Sequence, residues 1–435
     1  MEKYPILNER LYLRSPSINV CFRVIIEGMF NKNTIEEALL KVYVRHPFLN
    51  CSVNIDNDNN AWLVKNNKSI NLDYYNSNEM DWQTWYQKND NIPFDFLNGN
   101  LVKYCVIVGK NTEIIILGHH IIGDGIGYLN VVNDILLALD NRIELKPQIP
   151  PFKTNFKETK KLNLVEKIYA KSINKKWKIS RKQFSENEYV SFFQKYRNKY
   201  KPNFFMSLIE NENLKKLLEH SKLNGLSVNE IIASAFSLAF MEIMDRNETR
   251  LGVAANIRNE LVSEPNNCMG NFVTGISANI NFNHQNDFIS SAKGITLKIK
   301  EQLGNLKNRH MVVHFLSEFD KDLIESLMFA AYGDFEHTSS KKLAELIREK
   351  TENKGLGISN LGRFEHNVYE KFNLLDLQFI GPSFPANAIT VGIITVNNKM
   401  NICVRYNEGE LKIETVKTIY EKAMELLLKN NGNFV

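Results

Sequence analysis

At 435 residues, with 43% hydrophobic and 24% charged residues and a net charge of +5, the chain has the composition of a folded globular protein. It is too long for one ordinary core and is expected to form two domains, or two lobes sharing a cleft. No apolar run approaches the roughly 18 residues of a membrane span, and the start, MEKYPILNERLYL, carries Glu2 and Pro5 and does not read as a secretory signal.

In chain order, residues 18–28 (INVCFRVIIEG) read as a strand, and Thr34 to Val44 as a helix opened by a Thr34-x-x-Glu37 capping box and stopped by Pro47. His46, at that terminus, is expected to be structural. Strand signals follow around Ala61–Val64 and Leu101–Val108. The mostly β-branched run Ile114 to Leu117 is a buried strand that ends at His119 and His120. Beyond it the spacing Leu129, Val132, Leu136, Leu139 is that of an amphipathic helix, with Gly123, Gly125 and Gly127 supplying the turn. This lobe is expected to end near Pro150 and Pro151.

From Lys153 to Lys201 fifteen lysines and arginines face four glutamates, a local +11 that leaves −6 for the rest of the chain. The segment reads either as a solvated helix and interlobe connector or as a docking surface for something anionic, the phosphates of CoA or an acidic carrier protein. Although it contains aromatic residues, no nucleic-acid module accompanies them, so nucleic acid is not an expected partner.

The second lobe repeats the outline: a strand at Phe204–Ile209, a helix at Leu214–His220 ended by Asn224-Gly225, and a nearly all-apolar helix opened by Ser227-x-x-Glu230. Strands at Leu251–Asn256 and Ser277–Phe282 precede helical patterns over 287–305 and 319–332. Strands at 356–360, 376–380, 388–396 and 400–406 precede a last helix over 415–429. His310 and His314 are four apart, a spacing metal sites use, but no third ligand is evident. Cys21, Cys51, Cys105, Cys268 and Cys403 are scattered and odd in number, which points to reduced thiols in a cytoplasmic protein.

The stretch most suited to chemistry is EIIILGHHIIGDGIG, residues 113–127. An imidazole at a strand end can act as a general base near neutral pH. No convincing protein nucleophile accompanies it, because neither Ser277 nor Ser359 completes a G-x-S-x-G elbow. A histidine without such a partner suits direct attack by a substrate hydroxyl or amine on an activated acyl group such as a thioester. His120 and Asp124 alone leave a tetrahedral metal site short of ligands, so no metal is expected. The three glycines resemble a dinucleotide fingerprint only weakly, since the third comes one place early.

The motif His119-His120-Ile121-Ile122-Gly123-Asp124-Gly125 resembles the H-H-x-x-x-D-G of the CoA- and carrier-protein-dependent acyltransferase superfamily. That superfamily includes chloramphenicol acetyltransferase, nonribosomal condensation domains, and the alcohol O-acetyltransferase and phthiocerol dimycocerosyl transferase branch. Arg45-His46-Pro47, Asn256-Ile257-Arg258, Met269-Gly270-Asn271-Phe272 and Ser359-Asn360-Leu361-Gly362 are similar to further motifs in the same order. The D-F-G-W-G signature of the plant branch is absent. The resemblance implies an α/β fold of two similar mixed-sheet lobes, a pseudo-dimer with an active-site tunnel between them. In this chain the lobes would cover 1–152 and 204–435, with 153–203 as a basic connector.

By the same resemblance His120 is the base, Asp124 pairs with Arg258 across the lobes, His119 fixes the turn, and the Gly125 N–H lies near the thioester oxygen. Gly123, Ser359 and Asn360 are candidates for substrate binding. No tightly bound cofactor is implied; acyl-CoA or a phosphopantetheine thioester on an acyl carrier protein is the cosubstrate, and a small molecule the acceptor. The expected setting is secondary metabolism of the nonribosomal peptide or polyketide kind. The alternatives are a catalytically silent relative that binds a carrier protein or recruits a partner enzyme, and an epimerase, which needs a further glutamate not identifiable here.

Overall fold

The computed structural model describes residues 3–179, 182–281, 287–347 and 353–428. Phe282 and Lys429, the last residues of two expected elements, lie outside them. Among the described residues, three sheets organise this mixed α/β chain. The first has the order Leu374–Ile380, Asn19–Glu27, Asn111–His119, Val102–Val108, Leu72–Asn76, antiparallel except for its last pair. The second has the order Val273–Asn281, Glu248–Asn256, Gly355–Arg363, Asn387–Val396, Lys399–Asn407, Pro202–Glu210, and Gly355–Arg363 runs parallel to both of its neighbours. A small antiparallel sheet joins Lys3–Ile6, Ala61–Lys65 and Cys51–Ile55.

The central strands explain the apolar runs. Every residue of Val102–Val108 is buried, as is every residue of Asn387–Val396, so both faces of these strands are covered and no polar alternation is needed. Helices Lys32–Arg45 and Gly125–Leu139 pack together beside the first sheet. Arg45 Nε and His46 Nε2 both reach Asp134 Oδ2, at 2.6 and 2.7 Å, and so tie the end of one helix to the side of the other. His46 is fully buried, in the structural place expected of it.

One strand crosses between the halves. Leu374–Ile380 adds to the outer side of Asn19–Glu27, where Phe379 packs on Phe22 with ring centroids 5.1 Å apart. A buried polar knot joins the same regions: Asp90 accepts from Asn19 Nδ2 at 2.8 Å and Arg197 Nη1 at 2.7 Å, and lies 3.4 Å from Arg405 Nη2.

The basic segment is not a solvated connector throughout. It forms helices Leu164–Ile179 and Glu186–Tyr200, and Trp177, Phe192, Tyr196 and Tyr200 are buried in a third core with residues of Lys321–Ala331. Phe184 and Phe192 both stack on Phe329, at 4.1 and 4.2 Å. The aromatic side chains at 192, 196 and 200 recur at helical spacing, and that stripe pulls the helix inward while its lysines stay outside.

Local signals met mixed outcomes. The Ser227/Glu230 capping box forms in full. The first helix instead starts at Lys32, capped by Asn31, whose Oδ1 accepts the Thr34 N–H. Strand Leu72–Asn76 and helices Trp82–Asp90 and Thr338–Leu346 were not anticipated. His310 bonds Glu260 at 2.5 Å and stacks on Phe156. All five cysteines are buried and unpaired. Among the described residues no single helix is long and apolar enough to cross a membrane.

Candidate active site

Strand Asn111–His119 ends where His119 N–H donates to Leu101 O at 2.9 Å. The next residue, His120, stands in the turn before helix Gly125–Leu139, and Asp124 caps that helix by accepting the Gly127 N–H at 2.8 Å.

Asp124 is the hub of the site. Arg258 Nη1 and Nη2 donate to its two carboxylate oxygens at 2.9 and 2.8 Å, a bidentate pair, and the Phe272 N–H donates to Oδ2 at 2.8 Å. Arg258 is 1% exposed, sits over the Phe272 ring, and follows strand Glu248–Asn256 of the second sheet. The carboxylate therefore binds the histidine turn to the opposite lobe. Burial raises its pKa, but the Arg258 guanidinium and the backbone N–H donors outweigh this and hold it below the ordinary carboxylate value.

Met269-Gly270-Asn271-Phe272 closes the other side. Asn271 Nδ2 donates to His120 O at 2.8 Å, and Gly270 O accepts the Asp124 N–H at 3.2 Å. Gly270 has φ +125°, a left-handed conformation that favours glycine. The glycines of the histidine turn serve a different purpose from the expected one. None of Gly123, Gly125 and Gly127 has a positive φ, and a Cβ on Gly125 would stand 2.7 Å from Leu361 Cδ2. Leu361 of the other lobe crowds this position, so a side chain there would require that leucine methyl to shift.

The two histidines occupy different environments. His119 is wedged edge-on between Phe94 and Phe96 and accepts the Ile121 N–H at Nδ1. Burial, helped by neighbouring His120, pushes its pKa down to about 3, so it stays neutral. Tyr128 Oη donates to the His119 carbonyl at 2.9 Å. For His120 burial lowers the pKa, partly offset by Asp124, its own backbone carbonyl and the Asn271 side chain. It is also neutral near pH 7 and able to accept a proton.

The His120 ring is closely covered. His120 is 4% exposed, and the Tyr12 ring lies 4.7 Å from it, backed by Phe384. A cavity of about 490 Å³ lies elsewhere, lined by Arg14, Asn54, Leu97 and Ser185 among others.

Of the residues singled out from sequence, His119, His120, Gly123, Asp124, Gly125 and Arg258 come together. Ser359 and Asn360 lie on strand Gly355–Arg363, whose next residue, Leu361, comes up against the Gly125 position. Asn360 Oδ1 accepts the Gly362 N–H at 2.8 Å, a local turn bond. Tyr12 was not singled out, and no periodicity or motif spacing marks it. Asn271 was visible as part of a motif, but its grip on the His120 carbonyl was not.

The profile of the condensation-domain family matches residues 9–308. Bacitracin synthase 2 of Bacillus licheniformis is 21% identical over 94% of the chain, which spans only 15% of that protein's length. Among solved structures, the TRI3 trichothecene 15-O-acetyltransferase of Fusarium sporotrichioides has a TM-score of 0.70 at 12% identity, covering 98% of this chain and 94% of that one. The first condensation domain of the calcium-dependent antibiotic synthetase has a TM-score of 0.66 at 11% identity, covering 98% and 95%. Polyketide synthase associated protein 5 of Mycobacterium tuberculosis has a TM-score of 0.64 at 11% identity, covering 98% and 99%. At these identities the structural likeness speaks to fold.

Proposed function

The chain belongs to the condensation-domain family, and from that premise we propose that it is an acyltransferase in which His120 serves as general base for direct transfer. The acyl group comes from a thioester, on CoA or on a phosphopantetheinyl carrier protein, and goes to a hydroxyl or amine. As the acceptor's O–H or N–H approaches, the His120 imidazole takes its proton and the heteroatom attacks the thioester carbon. The tetrahedral intermediate then expels the thiolate, which receives a proton, giving an ester or amide and free thiol. No protein group becomes acylated.

The observation that carries this reading is the fixing of a neutral imidazole at the lobe boundary. The turn that holds His120 is tied to the other lobe by Asp124 to Arg258 and by Asn271 to the His120 carbonyl. Such rigidity suits a base whose contribution depends on position. Gly125 opens helix Gly125–Leu139, whose N-terminal N–H groups offer partial positive charge to a developing oxyanion. On this reading Tyr12 must move aside for an acceptor to reach the ring.

That enclosure is also the one observation favouring a second reading, a silent member that binds a carrier protein without turnover. The two separate on incubation with a panel of acyl-CoAs and acyl carrier proteins together with hydroxyl and amine acceptors, with products and intact protein read by mass spectrometry. Transfer gives acceptor-dependent ester or amide and an unchanged protein mass. An acyl adduct on the protein would overturn direct attack, and binding without any product would favour the silent reading.

A further inference from the structure

Helix Leu164–Ile179 presents apolar residues to solvent on the side away from the core. Ala170, Ile173 and Trp177 are buried, and Ser339 Oγ donates to the Ile173 carbonyl, so the inner face is fixed against helix Thr338–Leu346. At about 100° per residue these three point in one direction, while Leu164, Val165, Ile168 and Ile179 fall within about 100° of one another on roughly the opposite side. Those four are 74%, 74%, 57% and 83% exposed. Isolated exposed apolar residues need no explanation, but three at the start of a helix and a fourth at its end, all on one side, do.

The charges on the same helix follow that side. It carries five lysines and one glutamate, and Glu166 is already paired with Lys307. Lys167, Lys171 and Lys178 lie along one border, Lys176 along the other, and Lys175 within, by the same helical rotation. Lysine stems lie along an apolar surface while their ammonium groups rise to its polar rim. Exposed apolar residues at both ends of this side, with Ser172 and Lys175 between them and lysines flanking, on a helix of low overall hydrophobicity, fit a helix that lies in a membrane interface.

We propose that this outer face docks on an anionic lipid surface, with the isoleucines and leucine below the headgroups and the lysines paired with lipid phosphates. The surrounding segment supports that occupant, since its +11 balance supplies the attraction that an anionic bilayer requires. The helix is already held by its buried side, so binding needs no folding step. Docking here is independent of the transfer chemistry assigned to His120.

The test is flotation of the full chain with vesicles of phosphatidylcholine alone and of phosphatidylcholine mixed with an equal part of phosphatidylglycerol. The chain is expected to float with the mixed vesicles at low salt and not with phosphatidylcholine alone. Ile168→Asn with Ile179→Asn, both at exposed positions, should weaken partitioning at least about ten-fold. Lys171→Glu with Lys178→Glu should cost more than the roughly five-fold expected for each lysine lost. His120→Ala should float like the wild type, so failure of the transfer reading leaves this result standing. Absence of flotation with anionic vesicles, or undiminished flotation of the double isoleucine variant, would overturn the proposal and leave an acidic protein surface as the occupant to test.

Discussion

Asp124→Ala removes the acceptor of four hydrogen bonds, two from the Arg258 guanidinium and one each from the Gly127 and Phe272 N–H groups. The guanidinium is 1% exposed and is left with no carboxylate, the situation in which breaking a buried pair costs about 3–5 kcal/mol. Loss of the helix cap, worth about 1 kcal/mol, falls within the same relaxation and is not added to it. For 435 residues unfolding as one unit, the entropy at the midpoint is about 0.9 kcal/mol per degree, so the melting temperature should fall by roughly 3–5 °C. Calorimetry of Asp124→Ala, Arg258→Ala and the double variant measures this directly. The double variant should be less destabilised than the sum of the two single ones, because it contains no stranded charge. A shift below about 1 °C for Asp124→Ala, or strict additivity, would refute the claim that this pair clamps the lobes.

Further outcomes follow from the same geometry. His119 and His120 are held neutral in the fold with lowered pKa values, so in the unfolded chain they protonate at higher pH. Their contribution is complete above about pH 6.5 and is lost as pH falls towards the folded values, so the urea midpoint should drop between pH 7 and 5, and less steeply in His120→Ala. Gly118→Ala places a Cβ 2.0 Å from Tyr128 Oη, which must move and release the His119 carbonyl; a loss of about 1–3 kcal/mol in urea unfolding is expected, and a neutral result would mean the ring yields freely. Tyr12→Ala should speed modification of His120 by diethyl pyrocarbonate, followed by peptide mapping, whereas an unchanged rate would show that Tyr12 does not cover the ring.

Much of the fold was legible because its signals are local. The β-branched run before His119, the Ser227/Glu230 box and the apolar spacing after Gly127 each report on a few neighbouring residues. Leu374–Ile380 could be read as a strand, but its partner Asn19–Glu27 lies some 350 residues earlier, and no local pattern names a partner at that distance. At Leu72–Asn76 the residues LDYYN have neither alternation nor an apolar run, so no local pattern marks a strand. In the site, the motif residues could be named, and the pairing of Asp124 with Arg258 came from family resemblance rather than spacing. That Leu361 crowds Gly125, and that Tyr12 rests on His120, depend on contacts from distant segments.

The proposed transfer rests on the imidazole of residue 120, and single-turnover transfer by His120→Ala probes that role most directly. With folding verified by circular dichroism and melting temperature, the rate constant for product formation is expected to fall by about 100- to 10,000-fold while thioester binding is retained. Turnover at the wild-type rate by that variant would contradict the assignment of the base.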